Sequence, residues 1–282
     1  MKTKKKSKKK NKGVRPAGPV IGILGGVGPE AGCMLHRSIV ANTYATCDQE
    51  HLDVVHVSSS SLLSNTDRYD VFSSYLMAER PSTMANPGQT LGAAVHSIKA
   101  AATALRGSSA TRVVLGVACN TFHAPAIWSV FSKEVHKLGG VRLVSIVDET
   151  VRHIERKMPS VKRVGLLATT STCEARVYHA PLEARGLHVV ALPNDLQAGV
   201  QDTIYNSEWG LKAGVRSRAV RRMHWYASWL VDAGCDVIVL GCTEIPLAFR
   251  RPSHHGVPLL SSTEALACAL VRVVRGTCRC DE

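Results

Sequence analysis

Two stretches of one design, Leu115-Gly116-Val117-Ala118-Cys119-Asn120-Thr121 and Val239-Leu240-Gly241-Cys242-Thr243-Glu244, decide how this 282-residue chain is read. Each is an apolar run that passes through small residues into a cysteine and a hydroxyl-bearing turn. Working outward, similar short runs recur at Val20–Leu24, Val54–Val57, Val113–Val117, Leu143–Ile146, Val164–Leu167, Val189–Leu192, Val237–Leu240 and Val257–Leu260. Helix-like segments such as Glu30–Tyr44, Gly92–Leu105, Ala175–Arg185 and Lys212–Ala233 lie between them. Continuous apolar strands alternating with helices predict an α/β fold, because a parallel sheet is covered on both faces and needs no polar alternation.

The runs also form two series. Ile21-Gly22-Ile23-Leu24-Gly25-Gly26 opens one and Val164-Gly165-Leu166-Leu167-Ala168-Thr169 opens the other, and each then reaches its Cys-containing strand end. The openings are 143 residues apart and the cysteines 123, so loop insertions must distinguish the halves. The expected architecture is two similar lobes, each a mainly parallel sheet flanked by helices, with the active site in the cleft between them. Residues 19–147 and 148–282 are the expected lobes, and a C-terminal helix over 262–276 is placed to pack back on the first.

The formal charge is +13, from 35 Lys and Arg against 22 Asp and Glu. The first 18 residues hold eight Lys and Arg15 with no acid; the rest of the chain carries 26 basic and 22 acidic residues, an excess of +4. A lysine block without an apolar face repels itself and is expected to be a disordered tail. Nuclear import or a weak nucleic-acid contact are its sharper readings. It lacks the apolar core of a secretory signal, and no apolar run is long enough to span a bilayer, so no membrane partner is expected and the compartment is cytoplasmic. Aromatic residues are only 5%, which argues against base-stacking platforms.

Nine cysteines, an odd number without secretory context, are expected as reduced thiols. No Cys-x-x-Cys pair exists, Cys278 and Cys280 read as incidental, and no metal site is expected. Cys33, Cys47, Cys173, Cys235 and Cys268 read as buried small hydrophobes. Cys119 and Cys242 differ, because a strand's carboxyl end in a parallel sheet is where ligands bind and helix N-termini point amides. A helix dipole there would lower a thiol's pKa. Two facing thiols have a specific use: one thiolate removes a proton from a tetrahedral carbon while the other, as thiol, returns one on the opposite face. Their mutual repulsion would leave the pair one proton between them.

At these residues the sequence resembles the aspartate/glutamate racemase family, specifically its aspartate racemase branch. Gly22-Ile23-Leu24-Gly25-Gly26-Val27-Gly28-Pro29-Glu30-Ala31 resembles that branch's first strand and Gly-rich turn, and Asp48-Gln49-Glu50-His51 matches a family tetrapeptide. Cys119-Asn120-Thr121-Phe122-His123 and Gly241-Cys242-Thr243-Glu244-Ile245-Pro246 resemble its two cysteine motifs, and Leu167-Ala168-Thr169 with Thr172 and Tyr178 keeps its spacing. The resemblance implies a pyridoxal-independent racemase of an acidic amino acid, needing no cofactor and acting as a homodimer. It implies catalysis by Cys119 and Cys242, an α-carboxylate held by Asn120, Thr121 and Thr243, and a side-chain carboxylate held by Arg68 and Lys212. His123 and Glu244 are placed to tune the sulfurs. The segment around Arg68 departs from the family, with Thr66 for its Pro and Tyr69 for its Thr, and a serine run, Ser58 to Ser61, replaces the preceding element.

Three rival readings stand beside this one. Gly26-x-Gly28-x-x-x-Gly32 imitates a dinucleotide fingerprint, but with one residue too many, Pro29 inside it, and no acid at the end of the next strand. A decarboxylase or isomerase of a small carboxylic acid would use one cysteine, whereas two favour racemisation. A binding protein that contacts polyanions through its Lys tail leaves the paired motifs unexplained.

Overall fold

All six residues of β1 (Val20–Gly25) are buried, as a central parallel strand requires. The computed structural model describes residues 18–63, 85–214 and 217–281. Arg68, Thr66, Tyr69 and all of the expected basic tail except Gly18 lie outside these residues.

The first sheet has the order β2-β1-β3-β4, all parallel, from β1, β2 (Val54–Ser58), β3 (Val113–Val117) and β4 (Val141–Val144). The second has the order β6-β5-β7-β9-β8, from β5 (Arg163–Ala168), β6 (His188–Val190), β7 (Val237–Gly241), β8 (Ser253–His254) and β9 (Val257–Ser261). Its first four strands repeat the plan of the first sheet, and β8 adds a short antiparallel edge. The fold is therefore α/β with two similar lobes. In both sheets the chain leaves the first strand on one side and returns on the other, so β1/β3 and β5/β7 are the points where the winding reverses.

The helices follow from local signals. Pro29 opens α1 (Pro29–Asn42) and Pro87 opens α2 (Pro87–Arg106), where a missing N–H costs nothing. Further on come α3 (Pro125–Lys137), α4 (Ile146–Lys157), α5 (Thr170–Glu174), α6 (His179–Glu183), α7 (Asn194–Tyr205), α8 (Ser217–Asp232) and α9 (Ser262–Arg275). Gly22 and Gly116 show how the first sheet is covered. A Cβ at Gly22 would meet Ile98 of α2, and one at Gly116 would meet Leu266 and Leu270 of α9. Gly22 pairs with Leu115, so Gly116 points to the opposite face, and α2 and α9 sandwich the sheet. One buried apolar cluster runs from β1 and β3 through α4 and α9 to Leu166, Tyr178 and Val239 on the second lobe.

Several expectations need correction. Leu143–Ile146 is not a strand to its end, because Ser145 caps α4 by accepting from Asp148 N–H at 3.2 Å and Ile146 is already helical. The helix expected over Ala175–Arg185 is confined to His179–Glu183; Arg176, between it and the preceding Thr170–Glu174 helix, adopts φ 50°. The helix expected from Lys212 begins only at Ser217, and Lys212 sits in a turn. Cys33 and Cys47 are exposed, not buried. Cys268 and Cys280 form a disulfide and Cys278 lies 2.8 Å from Cys280, so Cys278 and Cys280 are not incidental and Cys268 is not a lone hydrophobe. The cause is Gly276, whose left-handed φ of 83° ends α9 and turns the tail back along it.

Among the described residues no helix is long and apolar enough to cross a membrane. Gly26, just past β1, has φ 91°, and a Cβ there would collide with the backbone of Ser59 and Ser60. Gly107 has φ 63° but faces open space. Urea unfolding should therefore separate them: Gly26→Ala loses roughly 3 kcal/mol, from conformation plus overlap, and Gly107→Ala about 1 kcal/mol, from conformation alone.

Candidate active site

Four strand ends meet at one small cavity. Val27 follows β1, Cys119, Asn120 and Thr121 follow β3, Thr169 follows β5, and Cys242, Thr243 and Glu244 follow β7. Tyr205, at the end of α7, and Lys212 complete the wall. Both sheets thus contribute the carboxyl ends of the two strands at their winding reversal, where open α/β sheets bind ligands. Cys119 and Cys242 hold equivalent positions in the two lobes, and both are buried.

Polar contacts join the lobes here. The hydroxyls of Thr121, Thr169 and Thr172 form a buried triangle with sides of 2.8–3.0 Å. Tyr178 donates its hydroxyl to Asn120 Oδ1 at 2.5 Å. That bond fixes the amide so that Asn120 Nδ2 faces away from Tyr178; it is buried and without a hydrogen-bond partner. A buried N–H left bare costs about 1–3 kcal/mol, so the site is prepared for an acceptor such as a carboxylate. Thr169 and Tyr178 enter the site through packing; their spacing, noted in the sequence, was the signal that marked them.

Lys212 is carried by a turn fastened to the end of α7: Leu211 N–H donates to Thr203 O and Lys212 N–H to Ile204 O, at 2.9 and 3.1 Å. The turn itself is built by Asn206 Oδ1, which accepts from the backbone of Glu208 and Trp209. Lys212 Nζ pairs with Glu244 and stands 5.1 Å from the Tyr205 ring centre. Glu244 Oε2 also accepts from Cys242 Sγ at 3.1 Å and Thr243 Oγ1 at 2.9 Å. The Glu244 carboxylate is therefore held by an ammonium, a thiol and a hydroxyl, the donors suited to an acidic ligand.

This arrangement overturns, for Cys242, the expectation that a helix dipole lowers the thiol pKa. The segments that follow the cysteines, Thr121–His123 and Ile245–Ala248, are single 3₁₀ turns, too short to sum a macrodipole. Burial pushes the Cys242 thiol well above its ordinary value, the Glu244 carboxylate pushes it further, and Lys212 works against both. Cys242 is a thiol in this state.

His123 is buried and stacked on Trp128 at 4.0 Å between ring centres. Its Nδ1 donates to Cys119 O at 2.8 Å, which leaves Nε2 to accept from Ile146 N–H at 3.4 Å. Burial lowers its pKa to about 4, so the ring is neutral near pH 7 and clamps the Cys119 backbone to the start of α4. The cavity holds about 20 Å³, room for one water molecule, so a larger ligand is admitted only when the lobes part or Lys212 and Glu244 move.

Comparison with known proteins gives a consistent placement. The model of the Asp/Glu/Hydantoin racemase family matches residues 24–270. The solved structure of an aspartate racemase from Picrophilus torridus shares the fold with a TM-score of 0.66 at 23% identity, covering 91% of this chain and 94% of that one. An aspartate racemase homologue from Pyrococcus horikoshii gives 0.64 at 22% identity, over 90% and 98% of the two chains. A glutamate racemase from Beutenbergia cavernae is 30% identical over 166 residues, 57% of this chain and about half (52%) of its own length.

The His123 clamp generates a pH signature. A histidine whose folded pKa is about 4 binds its proton in the unfolded chain first, so the fold loses stability as pH falls from about 6.5 toward 4. Between pH 7 and pH 5 this one ring should remove about 2 kcal/mol. Urea unfolding at the two pH values should show that difference shrinking by a similar amount in His123→Asn.

Proposed function

Because the chain belongs to the Asp/Glu/hydantoin racemase family, we propose that it racemises an acidic amino acid, aspartate first and glutamate next, by two-base proton transfer at Cα. The observation that carries this reading is the pair Cys119 and Cys242, at equivalent strand ends of two like sheets, lining one cavity beside an Asn120 whose Nδ2 has no hydrogen-bond partner.

The raised pKa of Cys242 supports one assignment of the roles. Cys242 holds its proton against Glu244 and is the acid, so the cycle starts when the Cys119 thiolate takes the Cα proton. The electron pair left on Cα spreads into the α-carboxylate, which Asn120 Nδ2 and the hydroxyls of Thr121 and Thr243 hold by hydrogen bonds. Cys242 then delivers its proton to the opposite face, which inverts the centre and leaves Cys119 as thiol and Cys242 as thiolate. The other enantiomer runs the same steps backward. One proton enters the carbon for each one removed, so no redox cofactor is required; that the site works without pyridoxal is part of this reading and rests on the family resemblance.

The acidic side chain of the substrate takes over Lys212 from Glu244, exchanging one carboxylate for another at the same ammonium. Arg68, by its resemblance to the family's carboxylate-binding arginine, is the second cation for that group. On the same reading the enzyme is a cytoplasmic homodimer.

Incubation of L- and D-aspartate, then of L- and D-glutamate, in deuterated water tests the assignment by Cα exchange. Absence of exchange with all four would overturn it. Cys119→Ala and Cys242→Ala should each lower racemisation by roughly 10²–10⁴-fold, the usual worth of a positioned acid or base; full activity in either variant rules out two-base transfer. A separate readout addresses Glu244. In a Cys119→Ser background, Glu244→Gln removes a negative neighbour from Cys242, so alkylation of that thiol at pH 8 should speed up several-fold.

A further inference from the structure

A second cavity, of about 760 Å³, lies in the second lobe beside the segment that follows Glu244. Three parts of the chain build its basic lining. Arg221 and His224 come from α8, Arg250 and Arg251 follow the 3₁₀ turn Ile245–Ala248, and His254 and His255 come from β8 and the turn after it. No Asp or Glu lines it. Among the described residues Arg221, Arg250 and Arg251 form no ion pair; other arginines also lack one, but these three line a single space. Three exposed arginines that line one space without a lining acid give it a positive field that suits an anion.

The lining is also built rather than merely adjacent. Ser228 Oγ lies 2.8 Å from His254 Nε2, and His224 Nδ1 lies 3.3 Å from His254 Nδ1, so the buried His254 ring is held from two sides. His255 adopts φ 46°, one of two non-glycine residues in the left-handed region among the described residues. That conformation costs on the order of 1 kcal/mol, and it sets the His255 ring 4.3 Å from His254, edge to face. Phe249 and Val220 supply an apolar side to the same space.

We infer that this cavity is a binding site for a phosphate-bearing small molecule, separate from the cysteine cleft. Guanidinium groups bind phosphate oxygens through paired N–H donors, imidazoles add further donors, and the volume suits a ligand of metabolite size. The site touches the chemistry from behind. Leu247 and Ala248, in the 3₁₀ turn that directly follows Glu244, form part of its wall, and Ser217, at the start of α8 shortly after Lys212, forms another. Its occupant therefore contacts the segment that directly follows Glu244.

Titration calorimetry of the full chain with inorganic pyrophosphate and with adenosine triphosphate tests this. We expect saturable binding that aspartate does not compete away. It should weaken roughly tenfold to a hundredfold in Arg221→Ala and in the double variant Arg250→Ala/Arg251→Ala, the usual worth of charge-assisted contacts. Those side chains are exposed, so melting temperatures should stay at the wild-type value and keep the comparison interpretable. Equal affinity in wild type and variants would assign the binding to the lysine tail and overturn the proposal. So would absence of saturable binding with both probes, or arginine variants that change only the oligomeric state, which would make this face a contact between copies.

Discussion

The site depends on one helix that has no polar face to spare. α9 leaves β9 without a linker and is buried over nearly its whole first half, with Ala265 to Val271 all inside. Such a helix cannot lie on a surface, because each leucine left in water forfeits about 1.5–3 kcal/mol. It belongs by sequence to the second lobe and packs against α1 and β3 of the first and against α4, the helix that joins the two. Ser262 Oγ at its start donates to Leu240 O, while Leu266 and Leu270 lie on Gly116. One rigid element thus touches both strands that carry the paired cysteines, and this sets the two strand ends relative to each other.

Smaller contacts refine what the helix sets coarsely. The threonine triangle and the Tyr178–Asn120 bond cross between the lobes close to the sulfurs, where burial makes each hydrogen bond costly to break. They also explain why Asn120 offers only its N–H outward. The electrostatics of the cleft turn on Glu244, a carboxylate that raises the Cys242 pKa and neutralises Lys212 at once. A carboxylate that displaced Glu244 from Lys212 would keep the ammonium paired and leave Glu244 to its Cys242 and Thr243 donors, so the exchange turns on how those two donors hold the released charge.

Much of this was legible from local pattern. The apolar runs ending in Cys119 and Cys242 marked both strand ends, because a fully buried parallel strand shows itself in a few consecutive residues. The repeated plan was visible for the same reason, and the sheets share their order. The helical boundaries were less legible where a single residue decides them, as Ser145 does by capping α4 and Arg176 by leaving the helical region. The electrostatics of Cys242 went the other way, because a dipole needs several turns and the segment after it supplies one, while Glu244, two residues away, and burial hold the thiol protonated.

The sequence by itself determined the α/β class, the two-lobe plan and the strand-end place of the two cysteines, since these follow from short-range periodicity along the chain. Only the tertiary structure decided that Lys212 meets Glu244, that Cys268 joins Cys280, that His123 clamps a backbone rather than standing free, and that six basic side chains surround a second cavity. Each of these joins residues whose approach is set by how turns and lobes pack. Packing is settled by burying helices such as α9, and no local pattern records which distant side chains that burial brings together.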